Sequence, residues 1–213
     1  MSVRSQQTHR DPAPSTPGAV YLIGAGPGDP GLLTLRGAEL LRRCDVVLYD
    51  GLCNPDLLRH APTAEAICVG KHGQSRIWQQ AEIIAEMIRH ARAGRSVARL
   101  KGGDPAIFAR TAEEVDALRA AEIPFEIVPG ITAALAAGSY AGIPVTHRGL
   151  ASAVALVTGH EEPGKPESSL DWSALAKFPG TLVIYMGVTT AESWSKALLE
   201  NGKPPDTPAA LIR

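Results

Sequence analysis

The sequence is poor in aromatic residues and in cysteine, has no excess of either charge and no long apolar run, and each shortage excludes a class of protein. Phe, Trp and Tyr make up only 5% of the chain, so a core has to be built from Ala, Leu, Ile and Val. The three cysteines, Cys44, Cys53 and Cys68, are odd in number and contain no C-x-x-C pair. Neither a disulfide framework nor a zinc site is therefore expected, and the thiols read as reduced packing residues. Lys and Arg number 21 against 22 Asp and Glu, a net charge of −1, which lacks the basic excess of a nucleic-acid-binding module. No apolar run approaches the roughly 18 residues that span a bilayer. The polar opening from Met1 to Gly18 has no apolar signal-peptide core. The expectation is a soluble, cytoplasmic protein with a disordered tail over residues 1–18 and neither membrane nor nucleic acid as partner. What is present is ordinary globular composition, 213 residues with 45% apolar and 20% charged, enough for one large or two small domains.

From Val20 the pattern alternates between short apolar runs and amphipathic stretches. Val20–Ile23 reads as a buried strand that ends in a glycine-rich loop, Gly24 to Gly31. Leu32 to Cys44 carries apolar residues at helical spacing with Thr34 placed to cap it, and Asp45 to Asp50 reads as a second strand. Strand, helix and strand joined by short connections predict a right-handed βαβ unit with parallel pairing. The alternation continues with a strand at Ala66–Val69 and a helix from Ile77 to Ala93, whose Ile77, Ala81, Ile84, Ile88 and Ala91 share a face before Gly94 stops it. A strand at Val97–Leu100, a helix over about Ala109–Ala121 and a strand at Phe125–Val128 follow. Such an order predicts an open α/β sheet with helices on both faces.

The segment Ile131–Pro144, small and broken by glycine, is read as the passage into a second α/β lobe. Strands are expected there at Ala153–Thr158 and Thr181–Met186, a helix from about Thr189 to Glu200 and a last strand near Ala209. The expected organisation is a tail at 1–18, an N-terminal lobe at 19–129 and a C-terminal lobe at 130–213, the latter incomplete.

In open α/β sheets ligands lie beyond the carboxyl ends of the strands. Gly26-x-Gly28-x-x-Gly31 matches a dinucleotide fingerprint, with Asp50 where the ribose acid belongs. Pro27 and Pro30, however, each remove a backbone N–H that a pyrophosphate would use. Gly102-Gly103-Asp104 puts two residues without Cβ beside a carboxylate, suited either to close approach of an amine-bearing ligand or to a tight turn with Asp104 as its cap. His147 and His160 read as polar loop residues, and Lys71, after Gly70, as either a solvated lysine or a cleft ammonium. No Walker loop, nucleophile elbow or metal-spaced histidine pair occurs.

One ordered set of motifs is more specific than any of these alone. Gly24-Ala25-Gly26-Pro27-Gly28-Asp29-Pro30-Gly31-Leu32-Leu33-Thr34-Leu35 is followed by Val47-Leu48-Tyr49-Asp50, Val69-Gly70-Lys71 and Arg99-Leu100-Lys101-Gly102-Gly103-Asp104-Pro105. Next come Val128-Pro129-Gly130-Ile131-Thr132-Ala133, Pro144-Val145-Thr146-His147-Arg148, Thr158-Gly159-His160 and Tyr185-Met186-Gly187. From about Ala19 to Arg213 this resembles the tetrapyrrole methylase superfamily, and within it the branch that acts on uroporphyrinogen III.

The resemblance implies a homodimer of two-lobed α/β subunits that bind S-adenosylmethionine, without a metal, between the lobes. Pro27, Gly102, Gly103, Asp104, Ile107, Thr132, Ala133 and Met186 would contact the methyl donor. The implied reaction methylates uroporphyrinogen III at C2 and C7, giving precorrin-2 for sirohaem or cobalamin synthesis, with Asp50 as proton acceptor and Lys71 as proton donor. Basic residues beside these motifs, Arg36, Arg99, Lys101, His147 and Arg148, are candidates for the substrate's carboxylates. Methylation of a later corrin intermediate and binding without turnover are the alternatives. Two departures from the pattern stand out: Gly51 replaces a residue that is commonly basic, and the family's pattern runs on past Arg213.

Overall fold

Three strands of the first half, Val20–Gly24, Val46–Tyr49 and Val97–Lys101, bury side chains in both directions, which requires a sheet covered on both faces. The computed structural model describes residues 16–70, 78–161 and 168–212. The chain divides into two compact units, Met1–Ile131 and Thr132–Arg213.

In the first unit β1 (Val20–Gly24), β2 (Val46–Tyr49), β3 (Glu65–Cys68), β4 (Val97–Lys101) and β5 (Phe125–Val128) form one sheet in the order β3-β2-β4-β1-β5. All four pairings are parallel. The βαβ expectation of parallel strands holds, but β1 and β2 do not pair with each other: β4 lies between them.

Helix α1 (Leu35–Leu41) begins where Thr34 Oγ1 accepts from the Gly37 N–H at 3.1 Å. With a 3-10 turn at Pro55–His60 it covers one face, where Leu40, Leu41 and Leu57 pack on Ile23, Val47, Ala98 and Leu100. Helices α2 (Gln80–Arg92) and α3 (Thr111–Ala120) cover the other, packing Ile83, Met87, Val115 and Leu118 on Val20, Leu22, Val46, Leu48 and Val97. The expected stripe on α2 is rotated: Ala91 is buried as expected, but its companions are Ile83 and Met87, with Ile84 and Ile88 only partly buried and Ala81 exposed; Ile77 lies outside the described residues. Leaving alanine in water forfeits the least apolar burial. Gly94, at φ +78°, ends the helix as expected.

The connection after β1 runs over the α1 face toward β2, whereas the connection after β4 runs over the α3 face toward β5. The connections that follow the adjacent strands β1 and β4 thus go to opposite faces, which is the topological switch point of doubly wound sheets. The expected tail lies outside the described residues as far as residue 15. Gly18 is part of the fold, its N–H donating to the Ala91 carbonyl at 2.8 Å.

The second unit begins at Thr132, within the segment Ile131–Pro144. Ala133–Tyr140 forms α4, because four alanines in eight residues outweigh one internal glycine in helix propensity. Strands β6 (Val154–Thr158) and β7 (Thr181–Tyr185) pair in parallel, with α5 (Trp172–Ala176) between them in sequence and α6 (Ala191–Glu200) after them. The strand expected near Ala209 is not formed; 208–212 is irregular. Among the described residues no helix is long and apolar enough to cross a membrane.

Candidate active site

The carboxyl ends of β1, β4 and β5 are joined through glycine. Gly26 and Gly103 form an antiparallel bridge, with N···O distances of 3.2 and 2.8 Å. A Cβ on Gly24 would lie 2.5 Å from Gly130 Cα, and one on Gly130 would lie 2.2 Å from the Gly103 carbonyl oxygen. Backbone against backbone at these separations leaves no room for a side chain. Asp104 locks the arrangement: Oδ1 accepts from Ala106 N at 2.7 Å and Oδ2 from Gly130 N at 2.9 Å. Asp104 thus braces a tight turn and the loop after β5 but does not cap the next helix, since α3 starts later, at Thr111, with Arg110 before it. Ile107 closes the same turn, its N–H donating to the Asp104 carbonyl at 3.2 Å.

Pro27 is exposed between Gly26 and Gly28. Its loop is fastened by Asn54, whose Nδ2 donates to the Gly28 carbonyl at 2.8 Å. Asp29 accepts from Gly31 N at 2.7 Å and starts a 3-10 turn at Pro30–Leu32, so the stretch expected to open a helix at Leu32 does so only at Leu35.

Beside this knot, at the end of β2, Asp50 opens on a hollow of about 370 Å³ lined by Asp50, Gly51, Leu52 and Gly70. A Cβ on Gly70 would fall 1.8 Å from Gly51 N, so β3 can close up to β2 only with glycine there. Leu52 connects the hollow to the paired-glycine turn, since a Cβ on Gly102 would be 3.4 Å from Leu52 Cβ. A larger groove of about 490 Å³ runs along α3 past Phe108, Val115 and Ile127, and includes neither Asp50 nor the paired glycines.

The charges behind Asp50 are almost dry. Arg99 and Lys101, two residues apart on β4, point to the α3 face with 2% exposure each, and Glu114 of α3 has 0%. Glu114 Oε1 accepts from Arg99 Nε at 3.1 Å and from Gln80 Nε2 at 3.2 Å, and its Oε2 from Lys101 Nζ at 2.8 Å. The far edge of the Arg99 fork donates from Nη2 to Asp50 Oδ1 at 2.5 Å. Burial works against the Arg99 charge, but Asp50 and Glu114 outweigh it and hold the guanidinium above its ordinary pKa. Burial, with Arg99 beside it, draws the Lys101 ammonium below the usual lysine value. Asp50 Oδ2 has no hydrogen-bond partner among the described residues, and its side chain is 29% exposed.

These contacts account for several of the basic candidates. Arg99 and Lys101 are committed to internal carboxylates. Arg36 makes a two-bond contact with Glu126, at 2.9 and 2.7 Å. His147 and Arg148 are exposed. Lys71 lies outside the described residues. Burial pushes the Cys44 and Cys53 thiols up to about 12, as packing thiols require.

In the second unit Tyr185, at the end of β7, gathers three of the expected residues. Its hydroxyl lies 2.6 Å from Thr132 Oγ1 and accepts from Ala134 N at 3.2 Å. This ties the start of α4, with Thr132 and Ala133, to the neighbour of Met186. Met186 is half exposed and held at φ +55°, a conformation that a side chain of its kind adopts at a cost. Gly187 allows this turn, its carbonyl accepting from Trp194 Nε1 at 2.8 Å. Sequence reasoning missed Glu114, Gln80, Asn54 and the role of Tyr185. For Glu114 a signal existed: it lies four residues before Leu118, on the buried face of α3.

The family model for Tetrapyrrole (Corrin/Porphyrin) Methylases matches residues 19–213. The chain belongs to the tetrapyrrole methylase family. It is 52% identical over 196 residues to an S-adenosyl-L-methionine-dependent uroporphyrinogen III methyltransferase of Methanosarcina barkeri, covering 92% of this chain and 77% of that protein. It is 50% identical to the siroheme synthase of Zymomonas mobilis, but spans only 41% of that longer protein. Among solved structures, uroporphyrin-III C-methyl transferase of Thermus thermophilus complexed with S-adenyl homocysteine superposes with a TM-score of 0.75 at 46% identity, over 88% of this chain and 78% of that one. The two-lobed α/β architecture of this methylase is thus the family's own. Among the described residues no three His, Cys, Asp or Glu side chains are grouped to hold a metal ion.

Proposed function

We propose that this chain is an S-adenosylmethionine-dependent C-methyltransferase that converts uroporphyrinogen III to precorrin-2 by methylation at C2 and C7, as a cytoplasmic homodimer. The observation that carries the reading is the Asp50 carboxylate: it is anchored through one oxygen, unpaired at the other among the described residues, and opens on a hollow beside the paired-glycine turn. Two of the relatives reported above are named as methyltransferases of uroporphyrinogen III or uroporphyrin III.

The residues present fit a methyl donor. Gly102 and Gly103 offer backbone without side chains, and the Asp104 carboxylate, with one backbone N–H on each oxygen, retains lone pairs for an ammonium group. Pro27 and Ile107 flank that turn, and Thr132, Ala133 and Met186 are the proposed contacts from the second unit. Bound S-adenosylmethionine supplies an electrophilic methyl group, taken in line by a pyrrole carbon as the electron pair of the broken bond passes to sulfur.

Asp50 then accepts the proton that the macrocycle must lose, through Oδ2. Arg99 keeps Oδ1 occupied, so the carboxylate cannot turn away. Before the proton leaves, the same carboxylate stabilises the positive charge that develops on the ring. Lys71 is assigned the return of a proton to the macrocycle. With no metal in the scheme, alignment of the two reactants supplies most of the acceleration.

The test is direct. Purified protein incubated without oxygen with labelled S-adenosylmethionine and uroporphyrinogen III should give a doubly methylated product by mass spectrometry. Folded protein that binds both compounds and transfers no label would overturn the proposal.

A further inference from the structure

The proposed reaction uses Asp50 but not the buried charges behind it, and one of these, Glu114, touches nothing in the hollow. Its burial needs a reason. A carboxylate in the first turn of α3 interacts favourably with the helix dipole, yet Glu113 already sits there, exposed and paired with Arg110 at 2.7 Å. Nor is stability a sufficient reason. Ion networks taken wholly out of water are commonly no better than apolar side chains of the same volume.

The geometry gives another. Arg99 Nε is held by Glu114, Nη1 by the Leu100 carbonyl at 3.2 Å and Nη2 by Asp50. Each guanidinium nitrogen has a partner, and the one carboxylate on Nε is Glu114. Glu114 also takes up Lys101, so that ammonium does not compete for Asp50. Two cations and two carboxylates then balance, and among the described residues Asp50 contacts a single cation through a single oxygen.

We infer that Glu114 is a positioning residue for Asp50: it clamps Arg99 so that the guanidinium holds Oδ1 and leaves Oδ2 to accept the proton. The inference rests on Asp50 being the proton acceptor. Glu114 therefore acts on the rate only through residue 50, which a general structural role would not do.

A double-mutant cycle on the methylation rate tests this, with Asp50→Asn, Glu114→Gln and the double variant assayed at equal folded fraction by circular dichroism. Glu114→Gln keeps the volume and removes the charge. It should lower kcat on the order of 10- to 100-fold, the scale of a misplaced reacting group, and leave KM for S-adenosylmethionine within about threefold. In the Asp50→Asn background the same change should lower kcat by less than about threefold. Glu114→Asp keeps the charge but is one methylene shorter, and should recover part of the rate.

Full additivity in the cycle, with Asp50→Asn itself slow, would overturn the inference and spare the reading of Asp50. A normal rate for Asp50→Asn would instead remove Asp50 from the chemistry, and the inference with it. If Glu114→Gln does not fold, Glu114→Asp carries the same cycle. Failure of both to fold would overturn the inference by making Glu114 a folding residue.

Discussion

The two ends of β4 carry similar charges in opposite surroundings. At the amino end, Asp45 accepts from Ser96 N at 2.8 Å and from Ser96 Oγ at 2.7 Å, and Arg95 meets Glu65 at 2.7 Å with 34% and 52% of their side chains in water. At the carboxyl end, Arg99, Lys101 and Glu114 are dry. Pairs in water are screened and lose side-chain entropy, so they hold little together. Pairs out of water are strong only while complete, because each lost partner strands a buried charge. The amino end is thus a tolerant seam, and the carboxyl end a rigid support for whatever lies above it.

The largest expected effect lies at the rigid end. Asp50→Asn should lower kcat by about 10²- to 10⁴-fold, the usual contribution of a positioned base, with little change in affinity for the methyl donor by calorimetry. An unchanged rate would leave the buried network without a catalytic client. Next, Gly130→Ala forces a Cβ onto the Gly103 carbonyl and should destabilise the protein by about 3 kcal/mol in urea unfolding; a loss within error would mean that the three loops are not locked. Lys101→Met removes one of the two cations on Glu114 and should destabilise by about 2 kcal/mol. If Lys101→Met and Asp45→Asn shift the urea midpoint equally, the contrast between the two ends is wrong.

The smallest effects concern acid. At the amino end, burial holds His90 below its ordinary 6.5, and His60 is lowered for the same reason. The neutral form is favoured on folding, so stability is full above about pH 6.5 and falls as the unfolded chain takes up protons below it. Hydrogen bonds from Ser96 lower Asp45, and those from Arg95, Arg89 and Arg36 lower Glu65, Glu86 and Glu126. Their contribution is present above the ordinary carboxylate range and is lost as pH falls through the depressed values. Urea midpoints taken from pH 7 downward should therefore fall in two stages, the second below about pH 4. A midpoint that rises between pH 7 and 5 would contradict this sign.

By itself the sequence determined the parts whose causes are local. Strands at Val20, Val46, Val97 and Phe125, the Thr34 cap, the Gly94 stop and the glycine-rich strand ends follow from backbone preference and side-chain period, and the ordered motifs were enough to place the chain in its family. Tertiary structure alone decided which distant residues share a charge or a hydrogen bond. Asp50 and Arg99 are 49 residues apart, Asp104 and Gly130 26, and Thr132 and Tyr185 53. Insertion of β4 between β1 and β2 brings the first pair together, and the pairing of β1 with β4 and β5 the second. It also turned Arg99 and Lys101 from candidates for the substrate's carboxylates into partners of internal ones, because alternate residues of β4 point under α3. Local pattern records which way a side chain points along its own strand; only the packed sheet settles what lies opposite.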